Sequence, residues 1–111
     1  MRVLLVEDDP DQRRVLALLL GATGHEVVEC ACADEARRAT PCDLALIDRK
    51  LPDGDGLELA ALVAGRVFLL TGEDLDAASV RAARERGVGV LVKPIRPREL
   101  EELLRNVGRR G

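Results

Sequence analysis

Five polar residues with the chemistry to bind or accept a phosphoryl group each follow a short apolar stretch of the sequence. They are Glu7, Asp8, Asp48, Thr71 and Lys93. Continuous apolar runs of this length are typical of strands that are buried on both faces of a parallel sheet. In open α/β sheets, ligands bind and react at the carboxyl ends of such strands. We therefore expect these five side chains to meet at one edge of a sheet.

The three acids of this set, Glu7, Asp8 and Asp48, are here called the acidic cluster. Two carboxylates about 4 Å apart repel each other by about 4 kcal/mol at an effective dielectric constant of about 20. Three of them cannot stay ionised together without a proton or a cation. Oxygen ligands with no histidine or cysteine beside them favour Mg²⁺, so the sequence predicts a Mg²⁺ site.

Lys93 would add a positive charge to this edge, and Thr71 would add a hydroxyl group; both can bind an anion. A metal, a cation and a hydroxyl around one carboxylate stabilise the charge that develops in phosphoryl transfer. Asp48 is the natural nucleophile, and its product would be an acyl phosphate. The simpler alternative is that Asp48 only caps a helix after its strand.

Five strand-like segments alternate with five helix-like segments along the chain. The predicted strands are 2–6, 26–30, 44–48, 67–70 and 88–92, and the predicted helices are 10–23, 34–39, 56–63, 74–86 and one that begins at 97. Strict alternation of this kind predicts an α/β fold, a doubly wound parallel sheet with right-handed crossovers. We treat residues 1–111 as one domain.

The first and last helices have clear local signals. Asp9 is placed as the N-cap, Pro10 takes the first helical position and Gln12 completes a capping box. The first helix is expected to have a broad apolar face of Val15, Leu16, Leu18, Leu19 and Leu20. The last helix carries Leu100, Leu103, Leu104 and Val107 at the spacing of one buried face.

The composition excludes several classes of protein. A net charge of -3 argues against nonspecific nucleic-acid binding, and one Phe with no Tyr or Trp removes the aromatic platforms on which bases stack. No apolar run is long enough for a membrane span, and no signal-peptide layout is present, so we expect a cytoplasmic protein. The odd set of Cys30, Cys32 and Cys42 is expected to be reduced and to pack as small side chains.

Taken together, these motifs resemble the receiver domain of two-component response regulators over essentially the whole chain. The resemblance is carried by the acid pair Glu7-Asp8, by Asp48-x-x-Leu51-Pro52-x-x-x-Gly56, by Thr71-Gly72 and by Lys93-Pro94. It implies a flavodoxin-like five-stranded sheet of order 2-1-3-4-5. It also implies that Asp48 accepts a phosphoryl group from a sensor histidine kinase, a phosphotransfer protein or a small phosphodonor.

The resemblance further assigns individual roles. Mg²⁺ would be bound by Asp8, Asp48 and the backbone carbonyl of Lys50, with Glu7 acting through water. Thr71 and Lys93 would contact the phosphoryl oxygens, and the Lys93–Pro94 peptide bond would be cis. Such a domain catalyses only its own phosphoryl transfer and dephosphorylation, and its output requires a C-terminal effector domain or a downstream protein.

Three features depart from the family pattern. Val90 stands where receivers usually carry an aromatic switch residue, and the stretch 87–90 lacks an acidic pair used in dimerisation, so we expect a mainly monomeric domain. The third helix and its loop look short.

The resemblance also places Lys50 and Glu73 on either side of the phosphoryl group. A salt bridge between them would slow hydrolysis of the acyl phosphate by obstructing the attacking water. The alternative is that both side chains are solvated and have no effect on the hydrolysis rate.

Two alternatives share much of this pattern. A phosphate-binding flavodoxin-like enzyme is disfavoured because Glu7-Asp8-Asp9 would repel phosphate. A pseudo-receiver, which binds partners without ever being phosphorylated, is favoured by Val90 and opposed by the intact set of five site residues. Intact-mass measurement after treatment with a phosphodonor and Mg²⁺ separates the two.

Overall fold

In the computed structural model, residues 1–39, 41–63, 65–72 and 77–110 are described, with 109 and 110 described by their backbone alone. The five main strands are β1 Arg2–Val6, β2 Glu26–Cys30, β3 Leu44–Asp48, β4 Arg66–Thr71 and β5 Gly89–Val92. The helices are α1 Pro10–Ala22, α2 Ala33–Ala39, α3 Gly56–Ala60, α4 Ala77–Glu85 and α5 Pro97–Arg110.

The main strands form one parallel sheet of order β2-β1-β3-β4-β5, which confirms the predicted doubly wound topology. Because β3 is central, all five of its residues are buried. The sheet has an apolar layer on each face. One layer includes Ile47, Leu59 and Ala83, and the other includes Leu46, Leu20 and Leu100. Two covered faces explain why the strands have continuous rather than alternating apolar sequences.

The chain after β3 makes a small antiparallel ribbon before it enters α3. Lys50 pairs with Asp55 and Leu51 with Gly54, and the Asp55 carboxylate accepts a hydrogen bond of 2.8 Å from the Leu57 N–H. α3 ends at Ala60, so the prediction that it continues to residue 63 was wrong. The amides of residues 61–63 donate to carbonyls three residues earlier, a tighter winding than an α-helix.

α1 begins as predicted but differs in two details. The Asp9 carboxylate accepts from the amides of Asp11 and Gln12 at 2.9 and 3.3 Å, as an N-cap does. The Gln12 side chain donates to that same carboxylate, with Nε2 3.4 Å from Asp9 Oδ2, in place of the reciprocal bond of a capping box. The apolar face is also narrower than predicted, because Val15 and Leu18 are 58% and 60% exposed.

The bounds of the remaining helices and strands lie close to those predicted from the sequence. All four leucine and valine positions predicted for the buried face of α5 are buried. β4 extends to Thr71, and β5 begins at Gly89, one residue later than expected. The predicted start of α4 at residue 74 lies outside the described residues. Within the described part of the chain, no helix has the length and apolar character to span a membrane.

Gly56 provides a test of how tightly the turn after β3 is packed. A methyl group added at Gly56 would overlap the carbonyl oxygen of Asp48, whereas one added at Gly54 would meet no atom within 4 Å. We predict that Gly56→Ala lowers the free energy of unfolding by about 1–3 kcal/mol. Gly54→Ala is the matched control and should have little effect. Urea unfolding measures both, and equal stabilities of the two variants would contradict the prediction.

Candidate functional site

The acidic cluster lies at the carboxyl edge of the sheet. Glu7 directly follows β1 and is 1% exposed, and its amide donates to the Cys30 carbonyl at 3.0 Å. Asp48 is the last residue of β3 and is 9% exposed. Asp8 is exposed. The site therefore has two carboxylates that are largely shielded from water and one that faces it.

The three acids are close enough to bind a single cation. One carboxylate oxygen from each of Glu7, Asp8 and Asp48 lies within 4.8 Å of the other two. An all-oxygen donor set with one open side fits a hard divalent ion such as Mg²⁺, which usually keeps several waters. The predicted convergence of these residues is confirmed.

Lys93 is the cation that the fold brings to the cluster. Its Nζ lies 3.2 and 3.4 Å from the two carboxylate oxygens of Glu7 and 3.3 Å from Asp48 Oδ2. The Lys93 amide also donates to the Thr71 carbonyl at 2.7 Å, and the peptide bond to Pro94 is cis, as the sequence led us to expect. Lys93 therefore joins the ends of β1, β3 and β4.

Thr71 and Lys50 lie beside this centre. Thr71 is buried at the end of β4, and its hydroxyl donates to the Gly72 carbonyl at 3.4 Å. The Lys50 amide donates to Asp48 Oδ1 at 3.3 Å, while the Lys50 side chain is exposed. Glu73 lies outside the described residues, so its pairing with Lys50 stays a prediction.

Burial and charge crowding act together on Glu7. Removal from water, a hydrogen bond to Asp48 and the charge of Asp48 raise the pKa of Glu7 to about 8, and Lys93 opposes this change only partly. A carboxyl group with such a pKa holds its proton at neutral pH until a cation replaces it. A metal ion that bound these three acids would displace this proton, so metal binding would be linked to proton release.

Sequence reasoning missed the residues that hold the site's backbone. Arg13 donates from Nη1 to the Glu7 carbonyl at 2.8 Å and contacts Glu29 at 3.6 Å. Asp53 accepts from the amides of Ala33 and Asp34 at 2.8 and 3.0 Å, which fixes the loop after β3 to the start of α2. The contacts of Asp53 join residues about 20 positions apart, which no local pattern indicates. Arg13 lies on the first turn of α1, close in sequence to Glu7, and this position is the one sequence signal for its contact.

The comparisons with known proteins agree with this geometry. The sequence pattern of the response regulator receiver domain matches residues 3–105. The chain is 32% identical to the transcriptional regulatory protein AruR of Pseudomonas aeruginosa over 98% of this chain and 50% of that protein. It is 34% identical to the response regulator receiver protein CpdR of Brucella abortus, with 89% of each chain covered. The chain thus spans about half the length of AruR and most of CpdR.

The fold comparison reaches the same result. A receiver domain structure from Clostridium thermocellum superposes with a TM-score of 0.88 at 22% identity, covering 98% of this chain and 94% of that one. Sheet order, acidic cluster and sequence match together define the class: the chain belongs to the response regulator receiver domain family of two-component signalling.

The acidic cluster makes a prediction about metal-dependent stability. A cation that binds only the folded chain stabilises it by mass action. We expect Mg²⁺ or Mn²⁺ to raise the melting temperature of the wild-type protein and to have almost no effect on Asp8→Asn. Without metal, Asp8→Asn should be at least as stable as wild type because one repulsive charge is gone. An undiminished metal-induced shift in the variant would refute the assignment.

The raised pKa of Glu7 gives a prediction about pH. Its ordinary value is 4.5 and its folded value is about 8, so between these pH values the folded chain holds more protons than the unfolded chain. The free energy of unfolding of the metal-free protein should therefore fall as pH rises from about 5 to about 8. Glu7→Gln should flatten this slope, and the exposed control Glu101→Gln should keep it. Urea unfolding at several pH values provides the measurement.

Proposed function

We propose that this receiver domain accepts a phosphoryl group on Asp48 in a Mg²⁺-dependent reaction and thereby changes its binding to partners. The observation that carries the proposal is the direct contact of Lys93 with both Asp48 and Glu7 at the open edge of the sheet. The contact with Lys93 orients the Asp48 carboxylate, and the 13% exposure of the Asp48 side chain leaves it a limited opening at this edge.

Each residue of the site has a role in this proposal. Asp48 Oδ attacks phosphorus, a P–O bond to the aspartate forms, and the bond from phosphorus to the donor's leaving group breaks. Lys93, which already bridges Glu7 and Asp48, can bind a phosphoryl oxygen without moving far. Thr71, buried at the neighbouring strand end, supplies a hydroxyl that can donate to another phosphoryl oxygen.

Glu7, Asp8, Asp48 and the Lys50 carbonyl would hold the Mg²⁺. When bound, the ion neutralises negative charge and orients the phosphoryl oxygens. The fold supports this set because Lys50 is two residues after Asp48 and its position is fixed by pairing with Asp55.

An apolar groove beside the site offers a place for a protein donor to dock. The groove has a volume of about 590 Å³ and is lined by Val15 and Leu16 of α1 and by Lys93, Pro94 and Ile95. Since Lys93 also contacts Asp48, a protein bound in this groove would hold its phosphohistidine close to the acceptor. Val15, whose exposure the sequence did not predict, would form part of this docking surface. We propose a sensor histidine kinase or a phosphotransfer protein as this donor.

The output of the phosphorylated domain would come from another domain or protein. Relatives such as AruR are about twice as long as the matched region and are named as transcriptional regulators. We propose that this domain controls an effector domain or a separate downstream protein, and that it stays mainly monomeric because Val90 replaces the aromatic switch. A pseudo-receiver has less support, since the three acids of the acidic cluster lie together and Lys93 contacts two of them, Glu7 and Asp48.

Intact-mass analysis tests the proposal directly. Incubation with acetyl phosphate and Mg²⁺ should add one phosphoryl group to the wild-type chain and none to Asp48→Asn. Asp43→Asn is a matched control because Asp43 directly precedes the same strand at its opposite end, where it accepts from the Arg2 amide at 2.7 Å. It should be modified like wild type. Failure of the wild type to gain mass would leave the pseudo-receiver as the better description.

A further inference from the structure

Arg49 directly follows Asp48, the proposed phosphoacceptor, and its side chain connects the end of β3 to α4. Its guanidinium donates from Nη2 to the Ser79 hydroxyl of α4 at 2.7 Å. Its backbone is held on both sides, because its amide donates to the Leu70 carbonyl at 2.9 Å and its carbonyl accepts from the Gly56 amide at 2.7 Å. Because these two hydrogen bonds fix the Arg49 backbone, we expect Arg49 to respond to a change at Asp48 by a rotation of its side chain.

The helix at the other end of this hydrogen bond is weakly packed. All nine residues of α4 are described, and Ala83 is the one among them that is buried. A cavity of about 230 Å³ lies between α4 and the sheet, lined among others by Arg49, Thr71, Ser79 and Val90. Val90 is too small to fill this space. Few buried apolar contacts mean low local stability, so α4 is expected to respond to the loss of the Arg49–Ser79 bond.

We propose that phosphorylation of Asp48 releases α4 by drawing Arg49 away from Ser79. This inference rests on the proposed function, because it requires the phosphoryl group. A phosphoryl group brings about two negative charges and three strong acceptor oxygens. A bond from arginine to a phosphoryl oxygen joins two opposite charges and can be bidentate, so it is stronger than the bond from arginine to a neutral hydroxyl. Arg49 is joined to Asp48 by one peptide bond, and its long side chain already borders the cavity beside Thr71.

The signal in this domain therefore depends on an arginine and a serine, with Val90 in place of an aromatic side chain that could move. Loss of the Arg49–Ser79 bond would weaken the attachment of α4, in which Ala83 is the buried residue and which borders the cavity. The exposed face of α4 would then become available to a partner. The change would be mainly in the local stability of α4 and less in the overall shape of the domain.

Hydrogen exchange of α4 measured by mass spectrometry tests this inference. In the wild type, beryllofluoride with Mg²⁺, used as a phosphoryl analogue, should speed exchange of the 77–85 amides by about tenfold. Arg49→Gln and Ser79→Ala should already exchange about that fast without the analogue and respond little to it. The exposed control Arg81→Gln should behave like wild type.

The outcomes separate this inference from the proposed function. If acetyl phosphate adds no mass to the wild type, the proposed function fails, yet the comparison of unmodified variants still shows whether Arg49 anchors α4. If the wild type is phosphorylated but α4 does not respond, the inference is overturned. It is also overturned if Arg49→Gln and Ser79→Ala keep the full wild-type response.

Discussion

The crowding of Glu7, Asp8 and Asp48 at one end of the sheet is the constraint on which the site depends. Their oxygens lie within 4.8 Å of one another, and Glu7 has almost no contact with water. Lys93 offsets part of this charge by contacting two of the three acids. The remainder requires a proton on Glu7 or a bound cation, and the three acids could hold a divalent ion.

Keeping repelling charges together requires a rigid frame, and the fold supplies one with contacts outside the cluster. Arg13 holds the Glu7 carbonyl, and Asp53 fixes the loop after β3 to α2. Gly56 allows α3 to begin against the Asp48 carbonyl, where any side chain would collide. On the opposite side the packing is looser, since Ala83 is the one buried residue of α4.

The sequence by itself determined the order of elements, the parallel sheet and the identity of the chemical residues. The central strand β3 is buried on both faces and is apolar up to its last residue, so Asp48 marks the end of that strand. Parallel strands share one direction, which places their carboxyl ends together. The caps at Asp9 and the buried face of α5 were also predictable, because they depend on residues within a few positions of each other.

Tertiary structure alone decided which polar groups touch and which apolar residues stay exposed. Val15 and Leu18 have the spacing of a buried face, yet both are more than half exposed, and Val15 borders the groove beside Lys93. The contacts of Arg13, Asp53 and Arg49 join residues six to thirty positions apart. The raised pKa of Glu7 has the same origin, because it depends on Asp48 and Lys93 at two other strand ends and on exclusion of water, neither of which is a local property of the chain.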